Sequence, residues 1–293
     1  MQSLKVRTRT RYVLNFIQKS FLRFKTNSPY ISGDSIAQIC DYVIPFPILD
    51  DDIVRKNIAN ANSIFVNGHN VKEVLRIAED LLSGKVIFSG NSDQNFIDRM
   101  LFTDLPSSIF CQNNTIISLD NVRTLPIGIE NIRLGRSGFK HLHKGLSHFK
   151  YTNRVFVPPM SPTNLSRVEV VAFAKTKPEL FDVITDYLPT KQYFKKVREY
   201  KFIFACEGNG FDTHRLWEIL YQNSFPVVLR SDWSISLQWL ELPILLVDSV
   251  TDITPSLLEE FLSRNENFNS ELTPQLWIPF WKNLIHAKTK SEN

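Results

Sequence analysis

The sequence has no continuous apolar stretch near the roughly 20 residues that a bilayer-spanning helix requires. Even LPILLVD is short and ends in Asp248. The chain is therefore expected not to cross a membrane. Cysteine is scarce: Cys40, Cys111 and Cys206 are odd in number, far apart, and have no second cysteine or histidine at metal-ligand spacing. That pattern excludes a disulfide framework and a zinc-binding module, and predicts reduced core thiols in a cytoplasmic protein. The GxGxxG, Walker and GxSxG motifs are missing, which removes their dinucleotide, P-loop and serine-hydrolase readings. There is no repeat of 20–50 residues and no low-complexity tract, so a solenoid is not expected.

Acid is absent from the first 33 residues, which carry seven basic side chains: Lys5, Arg7, Arg9, Arg11, Lys19, Arg23 and Lys25. With +4 on the whole chain, the remaining 260 residues carry about −3. The apolar run in this start is broken by Asn15, Gln18 and Lys19, and no small-residue cleavage site follows, so a signal peptide is not expected. On a helix from about Arg11 to Lys25, Val13, Phe16, Ile17, Phe21 and Phe24 would form one apolar stripe beside a basic face. Such a helix either attaches to anionic lipid, at about 1 kcal/mol per basic residue, or packs on the first domain with its charges solvated. With the basic residues confined to this segment, nucleic acid is not an expected partner.

What is present is an ordinary soluble composition, 43% hydrophobic and 22% charged, over 293 residues. That length fits two domains, each able to bury a core. SIFVNG (63–68), KVIFSG (85–90) and SIFCQN (108–113) read as strands, with VKEVLRIAEDLL (71–82) as an amphipathic helix between the first two. After a polar, basic stretch at 144–152, RVFVPP and VEVVAFAK open a second alternating series. Its strands are expected near 201–206, 226–229 and 244–247, with helices over Pro178 to Leu188, Asp212 to Asn223 and Thr254 to Ser263. The expected fold class is α/β, with the second half a parallel, Rossmann-like sheet. The divisions are a basic segment at 1–30, an N-terminal domain at 31–150, a C-terminal domain at 151–265 and a final aromatic-rich helix within 266–293.

The segment YKFIFACEGNGFDTHRLWEILYQNSFPVVL, residues 200–229, compresses a strand, a glycine loop, a helix and a second strand into about thirty residues. Gly208 and Gly210 are expected to free the backbone and turn N–H groups outward, and Asp212 to cap the helix. The positive helix N-terminus seats phosphate oxygens. Arg215 in the first turn can grip a diphosphate, and Glu218, three residues on, can face the same ligand and take ribose hydroxyls. Leu216, Ile219, Leu220 and Asn223 are expected to pack on the sheet. The alternative is an exposed ion-pair ladder of Asp212, Arg215 and Glu218 worth a few tenths of a kcal/mol.

EGNGFDTHRLWEILYQNSFPVVL resembles the C-terminal signature of exostosin-like glycosyltransferases, and FSGNSD (88–93), FCQNNT (110–115) and TLPIGIENIRLG (124–135) resemble the N-terminal halves of bacterial members. Gly90 departs from the pattern, standing where the family often has histidine. The resemblance implies a GT-B enzyme, two Rossmann-like domains facing a cleft, that moves a sugar from a nucleotide diphosphate sugar to a growing glycan. It implies donor contacts at Glu207, Gly208, Asn209, Gly210, Asp212, His214, Arg215 and Glu218, with Arg215 on the diphosphate and Glu218 on the ribose, and neither cofactor nor essential metal. Lipid-linked bacterial surface polysaccharide or O-antigen would be the acceptor, met on the inner face of the cytoplasmic membrane.

Inverting transfer needs a base for the acceptor hydroxyl. Asp93 and Glu130 are the candidates; each has a plainer reading, Asp93 as the cap of a helix starting at QNFIDRML and Glu130 as a hydrogen-bonded loop carboxylate. Asp50 to Asp52 precede the helix pattern IVRKNIANA, where acids suit the positive dipole end better than a metal. His141, His143 and His148 lie among lysines and are expected in a solvated interdomain segment.

Overall fold

The computed structural model describes residues 26–94, 107–144 and 148–290. The basic segment 1–25, with its expected amphipathic helix, and the helix expected at QNFIDRML lie outside them. The chain is α/β with two five-stranded parallel sheets. The first contains β1 (Tyr42–Val43), β2 (Ser63–Asn67), β3 (Val86–Gly90), β4 (Ser108–Cys111) and β5 (Val122–Thr124), side by side in chain order. The second contains β6 (Tyr151–Val157), β7 (Phe181–Val183), β8 (Tyr200–Phe204), β9 (Phe225–Leu229) and β10 (Leu245–Val247), in the order β10-β9-β8-β6-β7.

The helices are α1 (Gly33–Ala37), α2 (Asp51–Asn60), α3 (Val71–Ala78), α4 (Lys140–His143), α5 (Leu165–Lys175), α6 (Thr190–Val197), α7 (His214–Tyr221), α8 (Asp232–Ser236), α9 (Pro255–Arg264) and α10 (Ile278–Lys290). Local chemistry sets several of their ends. Asp50 accepts the Ile53 N–H at 3.0 Å and caps α2, with Asp51 and Asp52 in the positive first turn. Thr254 caps α9 ahead of Pro255, a residue with no N–H to lose there.

Successive strand residues face opposite sides, so each sheet feeds two cores. Ile64, Val66, Ile87 and Ile109 point outward to α2 and α3, while Phe65, Phe88 and Phe110 point inward. Val155, Val157, Phe202 and Phe204 point outward to α5 and α9, while Phe156 and Ile203 join the inner side. The inner cluster is one continuous core that also takes in α1, α7 and α10. Trp281 of α10, the last helix in the chain, reaches back to the first sheet. It is fully buried, edge-on to Phe110 at 5.8 Å and to Phe88 at 6.3 Å. Burial of one such ring removes 150–250 Å² from water, roughly 4–6 kcal/mol.

Some expectations need correction. Pro178 to Leu188 is not a helix: Phe181–Val183 pairs in register with Val155–Val157 as an edge strand, and the helix comes later, as α6. Pairing with a neighbouring strand overrides the local pattern. Asn223 does not belong to the buried stripe of α7. It takes the left-handed conformation (φ 58°) just past the helix, as asparagine tolerates, and its side chain accepts the Ser270 N–H. The histidine cluster is not a solvated strip, because His143 is buried against Tyr30, Phe194 and Tyr221. Burial depresses its pKa.

Candidate functional site

In a parallel sheet, the loops leaving two neighbouring strands diverge where the strand order reverses and open a crevice at their C-terminal ends. In the second sheet that point lies between β6 and β8. A cleft of ≈ 670 Å³ lies beside it, bounded by Pro159 after β6, the start of α7 after β8, and residues 130 and 135–137 of the first half.

Two arginines enter this cleft from equivalent places: Arg167 in the first turn of α5, which follows β6, and Arg215 in the first turn of α7, which follows β8. Arg215 donates to the Pro159 carbonyl at 2.8 Å and lies over the Tyr193 ring at 5.9 Å, while its Nε has no hydrogen-bond partner. Arg167 donates to the carbonyls of Glu207 (2.6 Å) and Ser161 (3.1 Å) and to Thr163 Oγ1 (3.1 Å). Neither arginine meets a carboxylate at ion-pair distance among the described residues. Burial first, and the Arg215 charge second, push the Arg167 pKa down, so the two guanidiniums are close enough to repel one another. The N-cap of α7 is Thr213, whose side chain makes no capping bond, so the N-terminal amides of the helix add to that field. Glu218 lines the same cleft and is 5% exposed. Burial first, then the charge of Glu218, raises the pKa of the Tyr193 hydroxyl.

Of the residues singled out from sequence, Glu130, His214, Arg215 and Glu218 thus share one cavity. Glu130 accepts the Ser137 N–H at 2.9 Å, and His214 Nδ1 lies 2.8 Å from the Gly128 carbonyl oxygen. Asp93 is exposed in a smaller neighbouring cavity that His214 also lines.

Glu207, Gly208, Asn209, Gly210 and Asp212 line neither cavity. Their loop closes on itself, with the Gly208 N–H donated to the Gly210 carbonyl at 2.8 Å, rather than turning its amides outward. Neither glycine has positive φ; what each requires is room. A Cβ on Gly208 would lie 2.8 Å from Arg167 Nη2, and one on Gly210 would lie 2.8 Å from Asn113 Oδ1. Asp212 is not the helix cap. It is buried, accepts the Ile127 N–H at 2.7 Å and the Trp217 Nε1–H at 2.8 Å, and so ties α7 to the first half. Desolvation raises its pKa to about 7. Glu207 accepts the Ser231 hydroxyl at 2.9 Å and Asn209 is exposed at the loop tip. The loop therefore positions Arg167 and the start of α7.

The three motif loops of the first half are fastened to each other. Asn91 donates its N–H to Gln112 Oε1, Asn131 donates to Asn91 Oδ1, and Asn113 Oδ1 accepts the Asp212 N–H, each at 2.8 Å. Gly90 is buried against Gln112. Sequence reasoning missed Arg167, although its place in the first turn after RVFVPP repeats the position of Arg215 after its own strand. It also missed Tyr193, which lies on a helix not expected there. No protein-family model and no curated protein matches the chain.

Proposed function

We propose that the chain is a glycosyltransferase of the GT-B, exostosin-like kind, with a nucleotide diphosphate sugar as donor in the larger cleft. The observation that carries this reading is the pair of unneutralised arginines, Arg167 and Arg215, beside the open N-terminus of α7 at the strand-order reversal. Guanidiniums on two sides of a crevice suit the oxygens of a diphosphate, and fixed positive charge there stabilises the leaving group as the glycosidic phosphate bond breaks. Glu218, on the same helix and facing the same cavity, suits ribose hydroxyls. Residues 130 and 135–137 form the facing wall, so a glycan acceptor would approach from the first half. An acceptor held at a membrane enters this reading only through the sequence of residues 1–25.

The test is a panel of nucleotide sugars and free nucleoside diphosphates, followed by thermal shift and titration calorimetry. A ligand at 100 times its Kd stabilises the native state by about 2.7 kcal/mol. Arg215→Ala and Arg167→Ala should each weaken the best ligand about 10- to 100-fold, since a hydrogen bond to a charged group contributes about 1.5–3 kcal/mol. Wild type indifferent to every member of the panel would reject the reading.

A further inference from the structure

The smaller cavity, ≈ 260 Å³, is walled by the first half, including His69, Asn91, Asp93 and Arg133, with a single residue from the second half, His214. His214 also lines the larger cleft, whereas Glu130 lines only the larger and Asp93 only the smaller. Its Nδ1 faces the Gly128 carbonyl at 2.8 Å. A carbonyl can only accept, so in the neutral ring the proton belongs on Nδ1 and Nε2 keeps its lone pair; this tautomer is assigned from the hydrogen bond. The ring's contact with the backbone is thus made through Nδ1.

We infer that the smaller cavity receives the acceptor sugar and that His214 Nε2 is the general base of the transfer, a step that rests on the reading of the larger cleft as the donor site. The acceptor hydroxyl oxygen attacks the anomeric carbon of the donor and forms the new glycosidic bond. The bond from that carbon to the phosphate oxygen breaks, and its electron pair leaves with the nucleoside diphosphate toward Arg167 and Arg215. The hydroxyl proton passes to His214 Nε2, and the imidazolium later returns it to solvent. One displacement with a base on the acceptor side inverts the anomeric configuration. The Gly128 carbonyl holds the ring in the useful tautomer, and Asp93, in the same small cavity, is placed to orient the acceptor and to stabilise the imidazolium.

The experiment compares full-length wild type with His214→Asn, whose amide can still donate to Gly128 but has no basic nitrogen. Two quantities are measured: affinity for free nucleoside diphosphates by calorimetry, and hydrolysis of nucleotide sugars with water as the acceptor. The expected result is an affinity within threefold of wild type and hydrolysis slower by about 10²- to 10⁴-fold. His214→Gln serves in its place if the first variant fails to fold, with the same expectation. Hydrolysis within threefold of wild type in the variant overturns the base assignment. So does a wild type that binds nucleoside diphosphate but turns over no nucleotide sugar, and in both cases the donor reading of the larger cleft survives. Failure of wild type to bind any nucleotide rejects that reading instead, and with it the ground for this step.

Discussion

The two halves of this chain use the same material, parallel strands of alternating apolar residues with amphipathic helices outside, yet they treat the ends of their strands differently. In the first sheet the order β1-β2-β3-β4-β5 never reverses, and the loops beyond β3, β4 and β5 saturate each other through Asn91, Gln112 and Asn131. In the second, β6 is flanked by β7 and β8, its loops part, and two arginines and a helix N-terminus are left facing a cavity. Strand order, rather than composition, is what opens the larger cleft beside the second sheet.

That contrast coexists with a shared core, and Trp281 is where it breaks most easily. Trp281→Ala should cost about 3–5 kcal/mol in urea unfolding, and the wild type should unfold in one transition by both fluorescence and circular dichroism. Two separated transitions in the wild type would show the halves to be independent units. Next in size is Gly210→Ala. Its methyl would press on Asn113, which is held by the Asp212 N–H and the Ser92 carbonyl. A loss of about 1–3 kcal/mol is expected from overpacking at the junction; a loss under half of that would mean the junction gives freely.

Asp212 sharpens the comparison through pH. Its carboxyl holds a proton up to about pH 7 in the folded chain, against about 3.9 in an unfolded one. Between those values the native state binds more protons, so this group's contribution to stability falls as pH rises from about 4 to 7 and is level outside that window. Measured against Asp212→Asn, wild type should lose stability steadily across the window; parallel curves for the two proteins would refute the raised pKa. The smallest effect belongs to Arg55→Ala, which breaks an exposed pair with Asp80 at 2.8 Å. It should cost less than about 1 kcal/mol and leave nucleotide affinity unchanged.

How much of this was legible is clearest residue by residue. Ile64, Phe65 and Val66 announce a strand buried on both faces, and Asp50 announces a helix start, because those signals are local. Arg215 and Glu218, three apart on one helix, were bound to share a side. Residues 181–183 were not legible, since a short edge strand is selected by its neighbour β6. The role of EGNGFD was misread for a related reason: a glycine that lacks a side chain because Asn113 crowds it looks, in sequence, the same as one that needs unusual backbone angles.

The sequence by itself determined the α/β alternation, the helix start at Asp50 and the shared side of Arg215 and Glu218. Periodicity and capping act within an element and need no partner. Only the tertiary structure decided that Arg167 stands across the crevice from Arg215, that Asp212 fastens α7 to the first half, that Trp281 crosses back to the first sheet, and that His214 joins two cavities. Those facts depend on which elements become neighbours, and that follows from strand order and long-range packing, which no local pattern encodes.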